Sequence, residues 1–428
     1  MKRKMKGRKI YTYRARNRRV FSDYHPLRSA IGTVLTLILV VVIGFVGYNV
    51  VGPIVTRLQM EKLNPTATAD PYFTENSAGE IITAVQTQAT TTLQTTTYTD
   101  TTTETSATTT TEAFPNRFPS DIDVAYVVAE DTLKDLDSVE AAAKKCRENG
   151  YRSMILPLKL SSGMLQYASS VDKAAACGAS NDEMLTLREI VNAAKRYDVS
   201  CIGQIFTLED HTFPNFFMEG SYVFKEGTTR WLDNKPEEGG KPWLNPFDAA
   251  SADYLAGIAA EIQKSGFTQI ICTGTIFPHF FRSDAELIGN HIEDADKRKE
   301  ALVSVLNRIA DVAPTAGLYA DLYAVSQGTE EAFQPAALHM TPIYMEINSA
   351  QLTEAFTIGE QRFDPAALAF PEKIKMLAEA ARIAAGSHEV IPILQTAQMS
   401  EAEIETAVSV LGENGFKKIC LYNAADQA

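Results

Sequence analysis

The chain has 428 residues, 45% of them hydrophobic and 22% charged, with 40 Lys+Arg against 53 Asp+Glu for a net charge of −13. That charge is unevenly spread: residues 1–30 hold 11 Lys+Arg against the single acid Asp23, a local +10 that leaves −23 on the rest. An acidic remainder of this size excludes nucleic acid as the partner.

The first element is this basic stretch, 1–30, read as the topogenic flank of the apolar segment next to it. From Ser29 to Thr56 the chain is uncharged, "SAIGTVLTLILVVVIGFVGYNVVGPIVT". Crossing a bilayer as a helix needs roughly 20 such residues, so residues 31–55 are predicted to be a transmembrane anchor in contact with the lipid bilayer. Basic residues crowd its N-terminal side, and only Arg57 and Lys62 come closely after it. The positive-inside rule then puts the N-terminus in the cytoplasm and everything past residue 56 outside. A cleaved signal peptide is the rival reading, but the segment lacks a good small-x-small cleavage site.

Residues 56–120 show no apolar periodicity, and 15 of the 22 residues from Thr90 to Thr111 are threonine. Such a tract buries too little apolar surface to offset its ordering entropy, and it is predicted to be a disordered, extended stalk.

From Asp121 to the end the texture is globular. Three segments echo one another, "RENGYRSMILPLK", "QKSGFTQIICTGT" and "GENGFKKICLYNA". Each has a polar helix end, a glycine and then a short apolar strand, as at the αβ junction of a repeated unit. Apolar runs place eight strands, at 124–128, 154–158, 201–206, 269–272, 317–322, 338–345, 390–394 and 419–422. Helical patterns occupy 138–149, 183–197, 249–264, 296–312, 372–385 and 401–413. Asp248 is a predicted N-cap, and Ser400 with Glu403 a capping box. This alternation predicts a (β/α)8 barrel of the TIM type over 121–428. A doubly wound open sheet is the alternative, but no strand leads into a phosphate-binding glycine loop. The five cysteines are odd in number and scattered, which reads as buried free thiols. Neither a metal site nor a cofactor is predicted.

Active sites of such barrels lie at the C-terminal strand ends. There the chain offers Glu130 and Asp131, then Lys159, then Glu209, Asp210 and His211, then Thr273-Gly274-Thr275. Asp321, Tyr344 with Glu346, Gln395, and Tyr422 with Asn423 complete the ring. No nucleophilic Ser-His-Asp pattern is present.

At these residues the chain resembles a glycoside-hydrolase domain family of bacterial envelope proteins, itself a (β/α)8 barrel. The likeness is carried by "KPWLNPFDAASADYLAGIAAEIQKSGFTQIICTGTIFP", with weaker echoes in "LYADLYA", "MTPIYME", "ILQT" and "CLYNA". It implies a polysaccharide or peptidoglycan-type glycan as partner. By that resemblance Asp321 and Asp210 match acidic positions. The Asp and Arg expected after the fourth strand fall on Thr273 and Ile276, and the Asp of the seventh on Thr396.

Glycoside hydrolysis uses two carboxylates across the scissile bond, and threonine replaces neither. Two readings are then open, and the loss of both Asp and Arg after the fourth strand favours the first. One is a degenerate barrel that binds glycan without cutting. The other is an active hydrolase with a rearranged pair, Asp321 and Glu346. In both, Asp210, His211, Thr273, Tyr344, Gln395 and Asn423 are the expected substrate-binding residues.

Overall fold

The computed structural model describes residues 114–423 apart from 116, 281, 289 and 290. The predicted tail and anchor, and the stalk up to residue 113, lie outside the described residues. Among the described residues no helix is long and apolar enough to cross a membrane.

The strands are β1 (Asp123–Val127), β2 (Ser153–Lys159), β3 (Ser200–Phe206), β4 (Gln269–Thr273), β5 (Ala316–Asp321), β6 (Ile343–Ile347), β7 (Phe356–Ile358), β8 (Gln361–Phe363), β9 (Val390–Gln395) and β10 (Lys418–Tyr422). Eight of them, all but β7 and β8, close a parallel barrel in the order β1-β10-β9-β6-β5-β4-β3-β2. The predicted barrel is observed, and the pairing of β1 with β10 removes the open-sheet alternative. The helices between barrel strands include α1 (Leu136–Glu148), α2 (Leu187–Lys195), α3 (Ala249–Lys264), α4 (Ala295–Val312), α5 (Leu322–Gln327), α6 (Phe370–Ala385) and α7 (Glu401–Glu413).

Local chemistry sets these boundaries. Ser400 and Glu403 cap each other's backbone at the start of α7, and the Asp248 side chain accepts from Ala250 N at the start of α3. Thr186 and Glu189 form a second capping box, which is why α2 begins later than the apolar pattern from 183 suggests. Gly150, Gly266 and Gly415 take left-handed φ of 81°, 100° and 87° at the αβ junctions. The strand predicted over 338–345 pairs only from Ile343. Pro342 has no N–H to give a ladder, so the sheet begins beyond it. The β7–β8 hairpin was not foreseen, its strands being three residues each.

Side chains alternate across each strand. One set fills the barrel, including Ile155, Ile202, Ile271, Tyr344, Ile393 and Tyr422. The other set packs under the helices, including Met154, Leu156, Leu158, Ile205 and Leu318. Cys146, Cys201, Cys272 and Cys420 are buried free thiols and Cys177 a half-buried one.

Gly317 shows how tightly the interior is filled. A Cβ there would lie 2.2 Å from the Pro342 carbonyl oxygen and 2.7 Å from the Tyr344 ring. Gly317→Ala is expected to cost about 1–3 kcal/mol through overpacking. Urea unfolding would register it as a lower midpoint at unchanged slope.

Candidate active site

On β5 the inward residues are Gly317, Tyr319 and Asp321; on β6 they are Tyr344 and Glu346. The two strands pair in register, Tyr319 with Tyr344 and Asp321 with Glu346. Paired residues of neighbouring strands share a face and sit about 4.8 Å apart. The fold therefore sets two carboxylates side by side at the C-terminal rim.

Glu346 is 7% exposed. Its Oε2 accepts from the Tyr319 hydroxyl and from Gln395 Nε2 at 2.9 Å, so Gln395, at the end of β9, joins the rim. Burial pushes the Glu346 carboxyl up, the two donors pull it down, and the Asp321 charge pushes it up again. Asp321 is half-buried and caps α5, accepting from Tyr323 N at 2.9 Å. Burial raises its carboxyl too, against the backbone donors of Tyr323 and Ala324.

A third carboxyl belongs to this corner. Glu330 lies in the loop after α5, half-buried, and accepts from the Asp321 backbone N–H. Burial pushes it up to about 7, the N–H opposes this, and the Asp321 charge adds to it. Its ordinary value is 4.5. A carboxyl raised on folding stabilises the fold below its unfolded value, and this contribution is lost as pH rises through the folded value. Glu330→Gln should therefore flatten the fall in stability between about pH 4.5 and 7, read as midpoints of thermal unfolding against pH.

The β3–β4 rim is built differently. The Thr207 hydroxyl donates to Thr273 O at 3.1 Å and pairs with the Thr275 hydroxyl at 2.8 Å. Thr273 is 9% exposed, and the hydroxyls of Thr207 and Thr275 with the Thr273 carbonyl clip this edge together where the resemblance implies Asp and Arg. Glu209 is anchored here by its N–H on Gly274 O at 3.1 Å. Burial raises its carboxyl, while His211, Lys159 and Lys241 lower it.

Three expected binding residues are placed elsewhere. Asp210 is fully buried in an ion pair with Lys159, Oδ2 to Nζ at 2.8 Å. Its Oδ1 accepts from Thr212 N and Phe213 N at 2.9 and 3.0 Å, which makes it the anchor of the loop after β3. Tyr344 is fully buried two residues below Glu346 and packs the barrel interior. His211 is tied by Nδ1 to Pro242 O at 2.9 Å, its ring 5.1 Å edge-on from Trp243. It orders the 233–243 loop. Asn423 comes directly after β10, half-buried at the rim.

A cleft of about 540 Å³ opens beside β4, between the loop 275–280 and Thr329 and Glu331. Neither this cleft nor the hollows of about 360 Å³ beside α1 and about 770 Å³ along α4 are lined by Asp321 or Glu346. Among the described residues no group of three or more His, Cys, Asp or Glu could hold a metal ion.

Residues 125–334 match the profile of a family described as "Putative glycosyl hydrolase domain". This is a glycoside-hydrolase-like barrel. The matched part carries Asp210, Asp321 and Glu330 and stops before Glu346 and Gln395. No curated protein matches the chain. Among solved structures, a hypothetical protein from Ruminiclostridium thermocellum is 18% identical, with 46% of this chain and 97% of that one covered and a TM-score of 0.39. A glycoside hydrolase family 20 beta-N-acetylglucosaminidase is 15% identical, covering 65% of this chain and 53% of that one, at a TM-score of 0.39. The chain thus spans about half the length of that enzyme. The glycoside hydrolase domain of PelA from Pseudomonas aeruginosa is 12% identical, covering 72% of this chain and 96% of that one, at a TM-score of 0.36.

The glycoside-hydrolase-like rim includes two groups that strand-end reading passed over. Tyr319 lies two residues before Asp321 on the same strand face, so period two could have found it. Glu330 carries no such signal, because only the path of the loop brings it back to the strand end.

Proposed function

We propose that this chain is a membrane-anchored, extracytoplasmic glycoside hydrolase that cuts envelope or extracellular polysaccharide with carboxylates on β5 and β6. The observation that carries this is the in-register pairing of Asp321 with Glu346 at the rim. Neighbouring strands hold such groups in the range hydrolysis uses, about 5 Å for retention and roughly 6.5–9.5 Å for inversion. Glu346 has two donors on one oxygen, while burial and the Asp321 charge raise its carboxyl. Gln395 orients it, and Asn423 lies at the rim. The anchor at 31–55 and the stalk at 56–120 would hold the barrel away from the bilayer, with residues 1–30 in the cytoplasm.

A second reading, a degenerate barrel that holds glycan without cutting, is favoured by the Thr207–Thr273–Thr275 rim, which has hydroxyls where the family resemblance implies charge. The two readings part on one experiment with the full chain in detergent. Binding and released reducing ends are recorded in the same wells on cell-wall and storage polysaccharides. Release supports the hydrolase. Binding with no release supports the holding barrel, and neither binding nor release removes both.

A further inference from the structure

We propose that the cleft beside β4 is a subsite for an uncharged sugar unit, so that the glycan of this barrel is neutral rather than uronate- or phosphate-bearing. This rests on the glycan reading above and names the substrate class within it.

The cleft has about 540 Å³, the size of a small-ligand site. One wall is the loop after β4, with Ile276, Phe277 and Phe280; Thr329 and Glu331 stand in the other. The aromatic wall is backed by packed rings. Phe280 lies 4.7 Å from Trp231 and 5.2 Å edge-on from Tyr222, both fully buried. Phe277 lies 5.7 Å from Phe247. Rings pinned from behind hold the wall in shape before a ligand arrives, which lowers the cost of binding. Ile276 differs from them and is 46% exposed. A pyranose has an apolar C–H face and a hydroxyl edge, and this wall suits the face.

The hydroxyl edge finds Arg298, which also lines the cleft. Arg298 donates Nη2 to Glu331 Oε1 at 2.5 Å, Nε to both Glu331 oxygens at 3.1 and 3.2 Å, and Nη1 to Ile292 O at 2.8 Å. A guanidinium carries five N–H groups, so two remain for sugar hydroxyls. Its charge is spent, because the Glu331 carboxylate is bound to it through both oxygens. A carboxylate or phosphate on the sugar would meet no free guanidinium here and would stand beside Glu331. It would also approach a chain whose residues beyond 30 carry −23, and like charge slows and weakens such an encounter. His279 is the remaining lining group able to carry positive charge, and an ordinary imidazole is uncharged at about pH 8.

The cleft adjoins the carboxylate pair. β4 and β5 are paired neighbours; Thr275 follows the end of β4, and Asp321 ends β5. Thr329 is tied to α5, its N–H and hydroxyl both donating to Ala324 O, at 3.0 and 3.1 Å. Asp321 caps the same helix. A glycan crossing the mouth at Asp321 has this cleft on its β4 side.

Calorimetry tests this on the full chain in a non-glycosidic detergent, at low salt and about pH 8. The probes are a cello-oligosaccharide, a chito-oligosaccharide and an oligogalacturonate. At least one of the two neutral oligomers should bind, and the oligogalacturonate should not. Ile276→Asp puts a charge on the apolar wall at an exposed position, so the variant is expected to fold. It should weaken the neutral oligomer about 10-fold or more. Unchanged affinity in Ile276→Asp, or oligogalacturonate bound as tightly as the neutral oligomers, overturns the subsite and leaves the hydrolase reading to the release assay. Binding of none of the probes overturns the subsite as well. A chain that binds a neutral oligomer, loses it in Ile276→Asp and releases no reducing ends supports the subsite and removes the hydrolase reading alone.

Discussion

Lys159→Ala should unfold the barrel at markedly lower denaturant, a loss of about 3–5 kcal/mol. Lys159 and Asp210 are both fully buried and 2.8 Å apart. The ammonium also donates to Phe206 O at 2.8 Å. Removing it strands a carboxylate with no water to solvate it, and that uncompensated charge outweighs the lost attraction. The two Asp210 backbone contacts, to Thr212 and Phe213, keep the carboxylate from swinging out to solvent, so the loop after β3 must open with it. Lys159→Met with Asp210→Leu should recover most of the loss, because no lone charge remains. Urea unfolding of the single and double variants checks this; a single variant within about 1 kcal/mol of wild type would contradict a dry pair.

The same pair marks a limit of reading strand ends. Lys159 ends β2 and Asp210 lies in the loop after β3, and a barrel diagram puts both in the mouth. A register shift in β2 between Pro157 and Lys159 sets Lys159 beside Ile205, which packs in the outer shell. A bulge of one residue flips the facing of everything beyond it, and Pro157 is the one residue of "LPLKL" that announces it. Tyr344 fails for a different reason. Its face is right, but it lies one layer too deep, with Gly317 leaving space for its ring. Asp321, Glu346 and Gln395 were legible because β5, β6 and β9 run to the rim with period two unbroken. The repeated helix–glycine–strand junctions made the barrel itself legible, since left-handed glycine and an immediate apolar run leave few alternatives. The hydroxyl clip across β3 and β4 was half visible. "TGT" shows that charge is missing, but only the fold shows that Thr207 reaches Thr275.

Glu346→Gln is the substitution with the largest expected effect on activity. The side chain keeps its size, so Gln395 and Tyr319 retain a partner and the fold should hold. What is lost is the negative charge at the end of β6, next to Asp321. Removing one member of a cooperating catalytic set costs most of the rate, here a fall on the order of 10³-fold or more. Ground-state affinity should change far less, because a neutral acceptor still meets sugar hydroxyls. The most direct measurement is therefore release and binding recorded together, on the full wild-type chain and on Glu346→Gln, with the polysaccharide the wild type holds best. The account predicts that the wild type releases reducing ends while the variant binds and does not. Equal release by both chains, or binding without release by both, would contradict a hydrolytic site on β5 and β6.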